Sequence, residues 1–295
     1  MSGFSADWLL LREPFDAAAR AAALVAKLCR RLASGTTAAP QQVVDLGCGT
    51  GANLRYLAPR LGGVQHWRLV DHDEQLLEAA IEITSDWALA SGAEVLRQGP
   101  ELTILATDFA CRVRCEQRDL AARGATPPLT DIVLPQGALV TASALLDLVS
   151  SDWLYALVSW CHEARAAVCF ALCYDGRTLC KPAEPEDGEA LELFNRHQLR
   201  DKGFGAALGP GAAAAARQAF AARGYHTRDL PSDWQIGPQD RALQRALLDG
   251  WLGAALEIAP ERQRVLADWH ERRCAHVDAG HSQLRVGHVD LIGWI

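Results

Sequence analysis

The chain has 295 residues, 49% of them hydrophobic and 22% charged, which is enough apolar material for a substantial core. Lys and Arg number 29 against 36 Asp and Glu, a formal net charge of −7, and that balance disfavours a nucleic-acid backbone as the partner. No apolar run reaches the roughly 18 residues of a membrane span, and Met1 to Asp7 lacks the basic and apolar halves of a secretory signal, so the expectation is a cytoplasmic protein off the membrane.

In chain order, Pro14 opens a predicted helix that runs to about Ala33, with Leu24, Val25, Leu28 and Leu32 at helical spacing and a stop at Ser34-Gly35. Gln42 to Leu46 is a short apolar run that reads as a buried strand. Asn53 to Leu61 reads as a helix, His66 to Val70 as a strand, and Glu74 to about Ser91 as a helix with Leu76, Leu77, Ala80, Ile81 and Ile83 on its apolar face. Arg112 to Arg118 and Ala138 to Ser143 are further strands. Asp152 to Arg165 is helical, and Ala166 to Tyr174 is a strand without a polar face until its last residue. Gly211 to Arg223 is an alanine-rich helix and Tyr225 to Leu230 a strand. Two helices, Gln239 to Ile258 and Glu261 to Val277, flank Ala259-Pro260, and Ser282 to Ile295 closes the chain as a strand. Such strand–helix alternation predicts a parallel sheet covered by helices on both faces. Lys181 to Gly188 reads as a loop, so residues 1–295 are expected to form one domain.

Val43 to Gly51 (Val-Val-Asp-Leu-Gly-Cys-Gly-Thr-Gly) carries the chemistry. A strand enters three closely spaced glycines and then a helix whose first N–H groups lack intrahelical partners. A dinucleotide turn has the spacing G-x-G-x-x-G; here it is G-x-G-x-G, with Asp45 two residues before the first glycine. A carboxylate there repels a pyrophosphate and pairs with an ammonium. Such a bend takes a ligand only if neighbouring protein atoms leave it free. Asp71 ends the next strand, where it can accept both hydroxyls of a ribose, and Asp119 with Leu120 follows the third, placed to meet an adenine amino group and ring.

These motifs resemble the class I, Rossmann-like S-adenosylmethionine-dependent methyltransferases over roughly residues 40 to 235. The resemblance implies an α/β fold: a seven-stranded, mostly parallel, doubly wound sheet in the order 3-2-1-4-5-7-6, with helices on both faces. It implies that Asp45, Gly47, Cys48, Gly49 and Gly51 line the methionine part of the cofactor. Asp71 with His72 would hold the ribose, Asp119 and Leu120 the adenine, and Ser143 and Ala144 would lie beside the sulfonium. Arg12 is a candidate for the cofactor carboxylate. The 48 residues between Asp71 and Asp119 exceed a helix plus a strand, so 93–109 is expected to be an insertion.

The acceptor should lie beyond the carboxyl ends of the strands. Residues 1–35 are expected to cover that edge, and a helical insertion at 239–277, between the last two strands, to form a lid. An enclosed pocket of this kind suits a small molecule. His197 and Asp147 are the candidate bases, and Tyr174 and Asn195 the candidate substrate-positioning groups. A surface histidine and a helix-capping aspartate are the plainer readings of the first two. The nine cysteines read as free thiols, and the pairs Cys111/Cys115 and Cys169/Cys173 as packing residues of strands, so no metal is expected. The expected activity is methyl transfer to a small-molecule acceptor at carbon, nitrogen or oxygen. A ribosomal RNA methyltransferase, a non-catalytic cofactor-binding scaffold and, more distantly, a nicotinamide-dependent dehydrogenase are the alternatives.

Overall fold

A computed structural model describes residues 4–33, 39–121 and 128–295. At the centre of the sheet, β1 (Gln41–Leu46) runs parallel to β2 (Gly63–Asp71) on one side and β6 (Leu139–Ser143) on the other. Outward from β2 lies β5 (Phe109–Gln117), and outward from β6 lies β7 (Ala167–Lys181), both parallel to their neighbours. Then β10 (Gln283–Trp294) runs antiparallel between β7 and β8 (His226–Pro231). This path, β5-β2-β1-β6-β7-β10-β8, is the expected order with its antiparallel last strand.

The expected count of seven strands is too low, because among the described residues the sheet has ten. β3 (Glu94–Gln98) and β4 (Glu101–Leu105) form a hairpin that extends the sheet beyond β5. Gly99, at φ +58°, opens its two-residue turn, the conformation such tight hairpins require. Leu102 and Ile104 of β4 are buried, so the hairpin widens the core and accounts for the long interval before Asp119. The third addition is β9 (Trp234–Ile236), which pairs with β10.

Alternate side chains of β1 feed opposite layers. Val44 and Leu46 pack with α5 (Ser151–Glu163) and α7 (Ala212–Ala222). Val43 packs with α2 (Ala22–Ala33), α3 (Ala52–Leu61) and α4 (Glu74–Ala90). Burial on both faces explains why β1, β6 and β7 read as continuous apolar runs.

The N-terminal helix differs from its expected bounds. α1 (Ala6–Ala19) contains Pro14, and the chain breaks at Arg20 before α2 begins. Proline here forgoes one helical hydrogen bond, while the break at Arg20 has a stronger local cause. Ala21 N–H (2.9 Å) and Arg20 Nε (3.3 Å) both donate to Oδ2 of buried Asp290, which pulls the chain out of helical geometry. The expected stop at Ser34-Gly35 lies outside the described residues.

β7 also outruns its expected end. Ser143 of β6 pairs with Ala171, yet β7 continues to Lys181, its outer half paired with Gln283 to Val286 of β10. This ribbon projects past the carboxyl ends of the other strands. On it pack α6 (Asp187–Gln198), α8 (Arg241–Ile258) and α9 (Gln263–Asp278) around a third core that includes Trp234, Trp251 and Trp269. Among the described residues no helix is long and apolar enough to cross a membrane.

Candidate functional site

The bend after β1 is made by backbone geometry. Gly47, Gly49 and Gly51 stand at φ +61°, +53° and +80°, the left-handed region where a side chain is strained. Cys48 N–H donates to the Val70 carbonyl at 3.1 Å and Gly51 N–H to the Cys48 carbonyl at 2.9 Å, tying the bend to the end of β2. α3 then opens at Gly51 with no side chain capping it.

Asp45 lies buried beneath this bend. Its Oδ1 accepts from Asn53 Nδ2 at 2.8 Å and Thr141 Oγ1 at 2.6 Å, while Oδ2 has no partner. Burial pushes its carboxyl up to about 6, against the lowering effect of those two donors and of Arg20. Asn53 is itself held by Arg20 Nη1 at 2.8 Å, so a polar relay runs from the α1–α2 break to Asp45. Asn53, Thr141 and Arg20 carry no signal in the motif; only the fold brings them to it.

Asp71 ends β2 as expected. Its Oδ2 accepts from Gly49 N–H at 2.9 Å and its Oδ1 from Asp73 N–H at 3.1 Å, with His72 Nδ1 at 3.2 Å from Oδ1. Each carboxylate oxygen keeps further acceptor capacity. Arg118 N–H donates to the Asp71 carbonyl at 2.8 Å, which sets Asp119 at the same edge. The Asp119 side chain is exposed and accepts from Ala121 N–H at 2.9 Å, while Leu120 is buried. Cys48 is buried in the bend, and the His72 ring is largely exposed. Ser143 ends β6 and Ala144 follows it at φ +51°, with its N–H on the Ala171 carbonyl.

The bend is not empty, which corrects the expectation of a free cradle. A Cβ on Gly49 would stand 2.9 Å from Leu9 Cδ1, and one on Gly47 would stand 3.3 Å from Leu145 Cδ1. Leu9 belongs to α1, which Glu13 clamps to Arg55 of α3 (Nε to Oε1, 2.8 Å). Arg55 also holds the Thr50 carbonyl at 2.6 Å. Both intruding groups are methyl tips of flexible side chains, and each stands over glycine backbone.

Arg12 is not free to meet a ligand carboxylate. It grips Asp16 through Nε (2.9 Å) and Nη2 (3.2 Å) and lies over the Trp234 ring at 5.1 Å, while Trp234 Nε1 donates to Asp16 at 3.0 Å. Asp147 is buried, and its Oδ1 has no partner. Burial raises its carboxyl to about 6, offset by backbone N–H groups of Asp147 and Tyr174 and by Arg12 and Lys202. The Tyr174 hydroxyl donates to Asn195 Oδ1 at 2.7 Å, so these two form one unit. His197 has both ring nitrogens engaged, Nε2 with Glu257 and Nδ1 with Lys202, each at 3.1 Å. Its basicity is lowered by burial and by Lys202. Lys202 thus bonds His197 and bears on Asp147 by its charge alone.

Sequence reasoning missed His288. It is buried on β10 with Nδ1 unpartnered, its ring 4.9 Å from Trp234 and 6.1 Å from Tyr174. Burial, then Arg12, lowers its basicity to about 3, so the ring is neutral at physiological pH. Among the described residues no group of three or more His, Cys, Asp or Glu could hold a metal ion.

No family model and no curated protein matches the chain. Solved structures do. An S-adenosylmethionine-dependent methyltransferase from Thiobacillus denitrificans, in complex with S-adenosyl-L-homocysteine, is 13% identical over 99% of both chains with a TM-score of 0.44. A cyclopropane synthase from Mycobacterium tuberculosis is 9% identical over 91% of this chain and 83% of its own, at 0.41. A geranyl diphosphate methyltransferase is 11% identical over 92% and 78%, at 0.42. Likeness at this level leaves the chemistry to be argued from the site itself.

Proposed function

We propose that the carboxyl edge of β1, β2 and β5 binds S-adenosylmethionine and that the chain transfers its methyl group to a small-molecule acceptor. One observation carries this reading: a buried, unpartnered carboxylate oxygen of Asp45 under a bend of left-handed glycines, beside a second carboxylate at Asp71. Leaving a buried acceptor unpaired costs about 1–3 kcal/mol, which a ligand ammonium would recover. A pyrophosphate would meet the same two carboxylates as repulsion.

In this reading Asp45 pairs with the ammonium, Asp71 takes the ribose hydroxyls, and Asp119 and Leu120 meet the adenine. Ser143 and Ala144 border the reacting methyl. Bound there, S-adenosylmethionine supplies an electrophilic methyl carbon on a sulfonium. The residues around it align the acceptor for in-line attack and exclude water, and alignment is a large share of such a rate. α1 within residues 1–35 is the cover, and the 239–277 helices are the lid of a single-domain enzyme. Leu9 and Leu145 must swing aside on binding, two side-chain reorientations of about 1 kcal/mol each that are set against the gain at Asp45.

Isothermal calorimetry with S-adenosylhomocysteine and S-adenosylmethionine tests the reading. Saturable binding of both at about 100 μM or tighter is expected, near −5 kcal/mol or better. Absence of binding at that concentration, or displacement by a dinucleotide, would overturn it.

A further inference from the structure

The second unsatisfied region of the molecule is a buried polar–aromatic cluster where α1, the β7/β10 ribbon and α6 meet. We propose that this cluster opens to take an amine acceptor, with the Asp147 carboxylate facing the nitrogen and the rings of Tyr174, Trp234 and His288 as the walls of the resulting chamber. The inference rests on the methyl-transfer reading above and adds the chemical class of the acceptor.

Placement comes first. Leu145 packs on Gly47 of the cofactor bend, and Asp147 lies two residues further along the same loop, its carboxyl against the Tyr174 backbone N–H. Tyr174 pairs across the sheet with His288, and Phe194 of α6 closes edge-on against Tyr174 at 5.5 Å. The position of His288 is built in. A register shift separates Val286 from His288, and a Cβ on the intervening Gly287 would overlap Asp175 Oδ1 and stand 2.9 Å from Arg177 Cβ. Only glycine fits there. Bulges of this kind re-aim a side chain, often beside a site.

The polar account then selects the ligand. Asp147 Oδ1 and His288 Nδ1 are each buried by more than nine-tenths and lack any partner. The two nearby cations are directed elsewhere, Arg12 onto Asp16 and Lys202 onto His197 Nδ1. A carboxylate with a free oxygen among aromatic faces is complementary to a ligand cation. The reaction makes the same demand. As the nitrogen lone pair forms the new C–N bond, the C–S bond breaks with its electron pair left on sulfur, and the positive charge passes from sulfur to nitrogen. A carboxylate beside that nitrogen stabilises the charge where it arrives, and the surplus proton leaves to water afterwards. An oxygen or carbon nucleophile carries no such charge once its proton is gone.

Choline and its uncharged isostere 3,3-dimethylbutan-1-ol are the probes, titrated into protein saturated with S-adenosylhomocysteine. Choline is expected to bind about tenfold tighter than the isostere. Asp147→Asn, which preserves size, should cut that preference to about threefold or less while leaving S-adenosylhomocysteine affinity within about threefold. Equal binding of the two probes, an unchanged preference in the variant, or no saturable binding of choline overturns the amine assignment. Failure of S-adenosylhomocysteine itself to bind is a different result: it removes the methyl-transfer reading, and the amine assignment with it.

Discussion

The bend at β1 and the chamber under α1 are made in opposite ways. The bend is local: Asp45, Gly47, Gly49 and Gly51 lie within seven residues, and their geometry follows from a strand end and left-handed glycines. The chamber is assembled from distant parts, with Tyr174 on β7, His288 on β10, Trp234 on β9, Asn195 on α6 and Asp147 in the loop after β6. A site made of backbone survives changes in distant packing, whereas a site made of packing does not.

The widest separation of the two is expected from Arg273, which is fully buried in the helical lobe and bonds Asp187 through Nε (2.8 Å) and the Pro182 carbonyl (2.6 Å). Arg273→Ala strips the guanidinium from the half-buried Asp187 carboxylate, leaving it only the Trp269 Nε1 and Glu184 N–H donors. A loss of about 3–5 kcal/mol in urea unfolding is expected. Where the variant remains folded, S-adenosylhomocysteine should bind as in the parent, since none of these groups touches the bend. A parallel loss of cofactor affinity would show that the two regions are one unit.

Next comes Asp45→Asn. Asparagine can keep the acceptor that Asn53 and Thr141 use, but it replaces the unpartnered oxygen with a donor. S-adenosylhomocysteine affinity should fall about 100-fold, near 3 kcal/mol. Stability without ligand should rise at neutral pH, because Asp45 is held near 6 by burial. A carboxyl raised from 3.8 to about 6 contributes stability below pH 3.8 that is lost as pH rises through 6, at most about 3 kcal/mol. The variant should escape that loss. Calorimetry and chemical unfolding at pH 7 read the two opposed effects together.

The same titration gives a pH dependence of binding. Below pH 6 Asp45 takes up a proton and stops attracting an ammonium, so S-adenosylhomocysteine affinity should drop about tenfold between pH 7 and pH 5. The charged groups bearing on Asp45 are Arg20 and Asp71. Asp147 is also raised to about 6 but serves the chamber, so Asp147→Asn should leave this binding profile unchanged. A profile that moves in that variant would assign the titration to the wrong carboxylate.

The sequence made the bend and the strand–helix alternation legible because both follow from nearest-neighbour patterning: apolar runs, glycine spacing, an acid at a strand end; the strand order came only through the family resemblance those motifs carry. It hid what depends on pairing at long range. Nothing in Cys173 to Lys181 announces that β7 continues past the sheet, since its outer half is stabilised by residues 283–286. The break at Arg20 was illegible for the same reason, its cause being Asp290, 270 residues away. Arg12, read as a cofactor ligand, belongs to Asp16 one helical turn on, an i,i+4 pair that the local sequence did contain.

The smallest effect bears most directly on the cover. Leu9 reaches the Gly49 backbone from α1, so a ligand entering the bend must first displace its methyl tip. Leu9→Ala removes that competitor and leaves in place the Glu13–Arg55 clamp and the Arg20 contacts that position α1. If α1 covers the bend only by this side chain, S-adenosylhomocysteine should bind two- to fivefold tighter, about 0.5–1 kcal/mol, with a faster on-rate. Affinity and stability should then move in opposite directions, because the half-buried Leu9 gives up apolar contact, at a cost of about 1 kcal/mol. If affinity instead falls, Leu9 packs against the bound ligand rather than against its empty seat. α1 would then act as a wall of the closed complex, and the bend would have to open by movement of Leu145 on the opposite side.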